Sequence, residues 1–434
     1  MRNNNNIYKK GALSSSLLTI LAKGVAFVQQ LCIVYYCGIS TTTDIHFYLY
    51  NLALLIGGMV QVITSSILIP RSMEMRINKN FTHEMKFLNS FLMLLMIAGI
   101  FTTFILGIMA KEVMTIITNF KNEEIENNLQ IYILFLYTTL LFSINSFFAE
   151  IFVSHKHFTI PILLNLSLNI CIILSVFLFH NQLGGVSMMS GALFLVFIAF
   201  ISFIYYMKKK LNWRFSIWDF NLLKTSLRPI IGLVINQCIV IFVSTYPYYL
   251  LSKLPIGSIS VVNYAMKFVL TPYAIMQQIA IVLQVRMNEL HAQKKQQELY
   301  STTKKIAQII FVIGLIIAFS IYAMRNSIIY ILYGFVNMPS DTMRQLTSII
   351  SIAIFALPFI GFGQVWVKLY FAQRRIKMYI CIMVSTNIIS CGIYYSFVSY
   401  CQISGYAIAY ALTESLIAIA LWYNIRKKKY YLYY

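Results

Sequence analysis

Apolar runs of about 20 residues follow one another from end to end of the chain, with only short polar breaks between them. At about 1.5 Å of rise per residue, a helix of that length crosses about 30 Å of hydrocarbon. The pattern predicts twelve such helices, over residues 12–37, 44–69, 87–110, 129–153, 158–180, 184–207, 229–251, 258–285, 306–325, 346–371, 378–398 and 402–425. The first lies behind the basic stretch MRNNNNIYKKGALSSS. It is long and lacks a small-residue cleavage site, so it reads as a retained helix rather than a removed leader. The breaks leave no room for a soluble domain of useful size.

Polar residues inside these helices are the informative exceptions. A charge at the bilayer centre costs roughly 3 kcal/mol, so it faces water, substrate or a polar partner instead. On helix 2, Asp44, Asn51, Gly58 and Ser65 recur every seven residues with Gln61 beside them, forming one polar and small stripe. On helix 1, Lys23, Phe27 and Gln30 share a face, with Gln29 adjacent. On helix 7, Asn236 and Gln237 precede Ser244 and a break at Pro247; on helix 8, Lys267, Thr271, Ala274 and Gln278 form a stripe interrupted by Pro272. Helices 1, 2, 7 and 8 are thus polar on one face, which predicts a shared central cavity between two halves. Small and amide residues also serve plain helix packing, so the weight falls on Lys23 and Lys267, which lie too deep to snorkel. Lys368 and Glu150 sit near the cytoplasmic ends of helices 10 and 4, where snorkelling accounts for them. Glu414, mid-way along helix 12, is either a buried partner or a protonatable coupling site.

Composition agrees with a bilayer as solvent: of 434 residues, 59% are hydrophobic and only 11% charged. The charge that remains is ordered. With the N-terminus inside, 26 of the 34 Lys and Arg residues fall in cytoplasmic segments, five outside and three within helices. That asymmetry alternates loop by loop and predicts cytoplasmic termini at both ends. The net charge of +21 therefore reads as topology determinants that touch anionic headgroups, not as a nucleic-acid surface. The seven cysteines are scattered and lack metal-ligand spacing, so no metal or other cofactor is expected.

An internal repeat emerges on comparison of the halves. Ser-Leu-Asn-Ile at 167–170 and Ser-Thr-Asn-Ile at 385–388 stand 218 residues apart, and GALFLVFIAFISFIYYMKKK (191–210) echoes YALTESLIAIALWYNIRKKK (410–429). The reading is an all-α polytopic membrane protein of two six-helix lobes: an N-lobe at 1–210, a C-lobe at 229–429 and a short tail at 430–434. Between the lobes, the basic stretch 211–228, with Trp213 and Trp218, is expected at the cytoplasmic interface.

The region around Thr43-Asp44, then HFTIPILLNLSLN (157–169), RPIIGLVINQ (228–237), SISVVNYAMKFVLTP (258–272), LYGF (332–335) and KLYFAQRRIKMY (368–379), come in an order and spacing that resembles the MurJ (MviN) family. These are lipid II flippases of the multidrug/oligosaccharidyl-lipid/polysaccharide (MOP) superfamily. The resemblance covers nearly the whole chain. It implies two lobes around a cationic cavity that receives the diphosphate of an undecaprenyl-linked sugar, with alternating access carrying the headgroup outward. On that alignment Lys23 and Lys267 stand where the family has arginines, keeping the charge but losing the bidentate fork. Gln29 and Gln30 replace an Arg-Asp pair, Ile56 and Gly57 replace helix 2 arginines, and Met266 replaces an acid. The family also usually carries two further helices after the twelfth. These departures move the expectation from lipid II towards a Wzx-like flippase for an O-antigen, capsule or similar repeat unit in the bacterial inner membrane, with polysaccharide polymerase machinery a candidate partner. Lipid II is the alternative cargo.

Other functions fit less well. A membrane glycosyltransferase or ligase calls for catalytic acids or a sizeable outer loop, and the longest outer loops have about 20 residues. A nucleotide-driven pump needs a phosphate-binding loop, and no GxxxxGK[ST] occurs. A multidrug antiporter would use a membrane carboxylate, Glu414 or Asp44, yet the cavity lysines oppose a cationic cargo. The candidate binding set is therefore Lys23, Gln29, Gln30, Asp44, Asn51, Gln61, Asn236, Gln237, Lys267 and Gln278, with Glu414 as the coupling candidate and no catalytic residue.

Overall fold

A computed structural model describes residues 2–78, 81–157, 159–293, 295–334, 338–373 and 375–429, so the expected tail lies outside the described residues. Every element there is helical: α1 (Arg2–Cys37), α2 (Thr41–Ile63), α3 (Ile69–Asn78), α4 (Phe81–Ile108), α5 (Ala110–Ile117), α6 (Asn122–Asn127), α7 (Leu129–Ser154), α8 (Ile160–Leu183), α9 (Val186–Lys210), α10 (Phe220–Leu251), α11 (Ser258–Ala292), α12 (Gln296–Tyr333), α13 (Ser340–Ala353), α14 (Leu357–Ala372) and α15 (Ile376–Lys429). Among the described residues, ten helical stretches are long and apolar enough to cross a membrane.

Local chemistry sets where these helices begin, end and bend. Gly38, at φ 63°, takes the left-handed conformation that closes α1, and its N–H reaches the Val34 carbonyl at 3.1 Å. Two residues on, Ser40 and Thr43 form a reciprocal capping box: Thr43 N–H donates to Ser40 Oγ at 3.3 Å, and Ser40 N–H to Thr43 Oγ1 at 2.9 Å. At the other end of α2, Pro70 has no N–H to offer the Ser66 carbonyl. The helix widens into a π-turn over Thr64–Leu68, Ile69 N–H bonding back to Thr64, before α3 resumes. Near the C-terminus α15 breaks at Gln402, which adopts φ 51° and ψ −132°.

The chain folds as two compact units, residues 1–245 and 246–434. In the first, α1 packs on α8, α8 on α9, α2 on α7, and α7 on both α4 and α9. Its core is aromatic: Phe147, Phe148 and Phe152 are buried, and Phe152 stands edge-on to Phe203 at 5.1 Å between centroids. Each such ring pair adds about 1 kcal/mol beyond the area it buries. In the second unit α11 and α12 pack on α14, and α13 and α14 on α15. Both units are apolar outside as well as inside. On α4 alone Ile97, Ile100, Phe101, Phe104 and Ile108 face outward, a surface that only lipid tails solvate.

One stretch shows a detail that the sequence does not. Residues 211–219 form a non-helical strap with a turn at residues 215–216, and α10 begins at Phe220. Trp218 is exposed, but Trp213 is buried at 3% exposure, because Asn89 on α4 offers its indole N–H an acceptor.

Candidate functional site

The polar stripe of α2 divides along its length. Asp44 is 2% exposed and sits in the first turn, where a carboxylate is favoured by the helix dipole and by free backbone N–H groups. Asn51 and Gly58 are half-buried, and nothing stands within 4 Å of where a Gly58 side chain would begin. Gln61 and Ser65 are exposed, and Gln61 Nε2 donates to Glu150 Oε1 on α7 at 2.7 Å. Sequence position alone suggested that Glu150 snorkels; it is instead held by an amide from the neighbouring helix.

On α1 the expected face splits. Lys23 is exposed, whereas Gln29 and Gln30 are 5% and 2% exposed and turn into the unit. Both polar atoms of the Gln30 amide are sealed without a hydrogen-bond partner. Of the family's two helix 2 arginine positions, Gly57 is sterically committed: a Cβ there would run into the Phe142 ring of α7. The glycine thus records a close approach of two helices. Asn236 and Gln237 are half-buried on α10, which completes the candidate residues of the first unit.

In the second unit Lys267 is half-buried on α11, between Met266 and Phe268, both of which face the interior. The Gln278 side chain lies outside the described residues. Glu414 on α15 lies within electrostatic reach of Tyr273, Tyr394 and Tyr410. Those rings belong to a larger set: Tyr394 pairs with Tyr406 at 5.6 Å, Tyr406 stacks on Tyr410 at 6.3 Å, and Tyr248 lies 6.5 Å from Tyr406. Sequence reasoning found the carboxylate but not the tyrosines, which come from α10, α11 and both sides of the Gln402 break.

These features were then set against known proteins. The family model described as "Lipid II flippase MurJ" matches residues 33–433. The chain belongs to the MurJ family. A curated relative in Borreliella burgdorferi, "Probable lipid II flippase MurJ", is 24% identical over 434 residues, covering 98% of this chain and 84% of that protein. In fold, the chain is similar to a solved "Lipid II flippase MurJ, inward closed conformation", at TM-score 0.83 and 16% identity, over 95% of this chain and 87% of that one. It is also similar to an inward-facing multidrug resistance MATE transporter of the MOP superfamily, at TM-score 0.79 and 14% identity, over 96% and 97%. As a MurJ-type protein it is a flippase rather than a catalyst of covalent chemistry, and a multi-pass protein of the inner membrane. The narrower expectation of a polysaccharide repeat unit, with a polymerase partner, has no counterpart among these MurJ matches.

Proposed function

We propose that this flippase carries lipid II, the undecaprenyl-diphosphate-linked precursor of peptidoglycan, from the cytoplasmic to the outer leaflet. The observation that carries the reading is the match to the MurJ family over residues 33–433. Two of the departures that pointed to another cargo lose their force once their surroundings are known. Gly57 lacks a cation because Phe142 fills the space, and Gln29 and Gln30 are uncharged where a charge would have to be buried and paired. Neither change speaks to what is carried.

The chain crosses the bilayer twelve times, with both termini in the cytoplasm. Supporting this, the Lys377–Arg426 stretch has 50 residues, about 75 Å of helix and more than twice a bilayer core, and it is divided at Gln402. The 35-residue α11 supplies one crossing more than the ten apolar stretches. The lobes are 1–210 and 229–429, joined by 211–228. Lys23 of the first unit and Lys267 of the second are the cations that attract the diphosphate, and Asn51, Gln61, Asn236, Gln237 and Gln278 add polar contacts to the headgroup. Neutralisation of the two ammonium groups favours closure on the cytoplasmic side, giving the differential affinity that a conformational switch requires. Glu414 is the coupling group.

Complementation tests this reading. The wild-type chain is expected to rescue a strain depleted of its lipid II flippase, and Lys23→Ala/Lys267→Ala to fail at equal expression. Rescue only of a strain lacking its O-antigen flippase would return the cargo to polysaccharide. A double variant as good as wild type would remove the two-lysine site.

A further inference from the structure

The strap between α9 and α10 is built into the first unit. Asn89 Oδ1 accepts from Trp213 Nε1 at 2.8 Å, and Asn89 Nδ2 donates to the carbonyls of Arg214 and Ile217, each at 2.7 Å. Ser90 Oγ accepts from Asp219 N–H at 2.8 Å. These four bonds fix a non-helical segment that turns at residues 215–216, and along it inward and outward side chains alternate. Trp213, Phe215 and Ile217 turn inward onto the core, Trp213 edge-on to Phe81 at 5.6 Å. Arg214, Ser216 and Trp218 turn outward.

The outward face combines two chemistries. Lys208, Lys209, Lys210, Arg214, Lys224 and Arg228 are all exposed. Among them stand Trp218 and Phe220, 49% and 41% exposed. Asp219 is the sole acid between residues 208 and 228, and its carboxylate is occupied at the start of α10, accepting from Asn221 N–H at 3.0 Å. A merely solvated loop gains nothing from an outward tryptophan and phenylalanine, nor from a backbone pinned at four places. Anionic lipid headgroups reward both features: a cluster of four or more cations beside the membrane attracts them, and tryptophan settles at headgroup depth. A surface ordered in advance also loses less freedom when it binds.

We propose that this strap is a docking surface for the anionic phospholipid headgroups of the cytoplasmic leaflet. The leaflet assignment rests on the orientation proposed above; the lipid chemistry does not. By holding headgroups against the ends of α4, α9 and α10, the strap moors the first unit to the inner face of the bilayer.

The test uses the full-length protein in detergent, titrated with phosphatidylglycerol or phosphatidylcholine and read by native mass spectrometry. Wild type is expected to retain phosphatidylglycerol in preference, and to lose it as salt rises. Lys208→Gln/Lys209→Gln/Lys210→Gln/Arg214→Gln is expected to weaken that affinity by about fivefold for each charge removed. A control with four other exposed cations replaced, Lys304→Gln/Lys305→Gln/Lys377→Gln/Arg426→Gln, is expected to keep it. Equal losses in both variants, or no preference between the two lipids, would overturn the proposal. In nanodiscs, the emission removed by Trp218→Phe is expected to be quenched by brominated phosphatidylglycerol, a measurement that needs no charge variant to fold; absence of quenching also overturns it. Labelling of Arg214→Cys in a cysteine-free background reports the side of the membrane. Labelling from outside would refute the orientation while leaving the detergent affinities to judge the lipid site.

Discussion

Gln61 on α2 and Glu150 on α7 are joined by a side-chain hydrogen bond of 2.7 Å between two helices that pack along much of their length. The bond ties the lower half of the polar stripe to a carboxylate outside it. Glu150→Gln keeps an acceptor of the same shape and is expected to leave thermal stability nearly unchanged. Glu150→Ala removes the partner of an amide that is itself exposed, so the loss is about 1 kcal/mol. Thermal unfolding of the two variants in detergent checks this, and an alanine variant as stable as the glutamine one would show that the bond adds nothing to the fold.

A stronger pairing lies beyond the π-turn. Arg76 on α3 sends Nε to Glu84 Oε2 at 2.6 Å and Nη2 to Oε1, a two-point grip on a carboxylate with no exposed side-chain surface. Its guanidinium also reaches Ser154 Oγ at 3.1 Å and His155 Nε2 at 3.0 Å on the end of α7. Removing either partner is unequal in effect. Arg76→Ala strands a buried charge and is expected to cost about 3 kcal/mol. Glu84→Gln leaves Arg76 a quarter exposed and still bonded to Ser154, so it costs less. Unfolding of both single variants and the double variant measures the coupling, and additive losses would mean that the pair does not act as one unit.

What the sequence conveyed was set by one-dimensional signals. Helix type and the lipid-facing surface follow from run length and hydropathy, and among the described residues ten helical stretches are long and apolar enough to cross a membrane where the pattern predicts twelve. Which face of a helix is buried depends on its neighbours. Lys23 and Gln30 fall on one side of an ideal helix, yet Lys23 is exposed and Gln30 sealed, and no periodicity reveals where α8 will lie. That Trp213 is buried could not be read from the sequence, because Asn89, which accepts its indole N–H, stands far away along the chain. The tyrosines around Glu414 come from segments separated by more than a hundred residues, so composition shows many tyrosines and not their convergence.

Gly57 gives a sharp steric prediction. Gly57→Arg restores the side-chain charge that the family resemblance places there, but it drives the side chain into Phe142. Overpacking of this kind costs roughly 1–3 kcal/mol. The single variant is expected to unfold at lower temperature and to transport poorly, and Phe142→Ala is expected to recover stability when added to it. Gly57→Arg as stable as the parent would mean that α2 and α7 part easily, and the packing account of the missing arginine would fall.

Glu414 lies deep in α15 among Tyr273, Tyr394 and Tyr410, and a carboxylate in that setting has two distinct uses. As a fixed structural partner it would hold the rings together, and its neutral isostere would loosen the unit. As the coupling group it would change its charge or its counter-ion during the cycle, and the isostere would leave the unit intact while detaching transport from its driving force. Glu414→Gln preserves size and hydrogen-bonding capacity, so it separates the two. In proteoliposomes loaded with lipid II, the variant is expected to keep wild-type unfolding behaviour and gradient-free exchange across the bilayer, while the stimulation of flipping by an imposed ion gradient or membrane potential is lost. Stimulation equal to wild type would remove Glu414 from the coupling mechanism. Loss of exchange together with a lowered unfolding temperature would assign it to the architecture of the second unit.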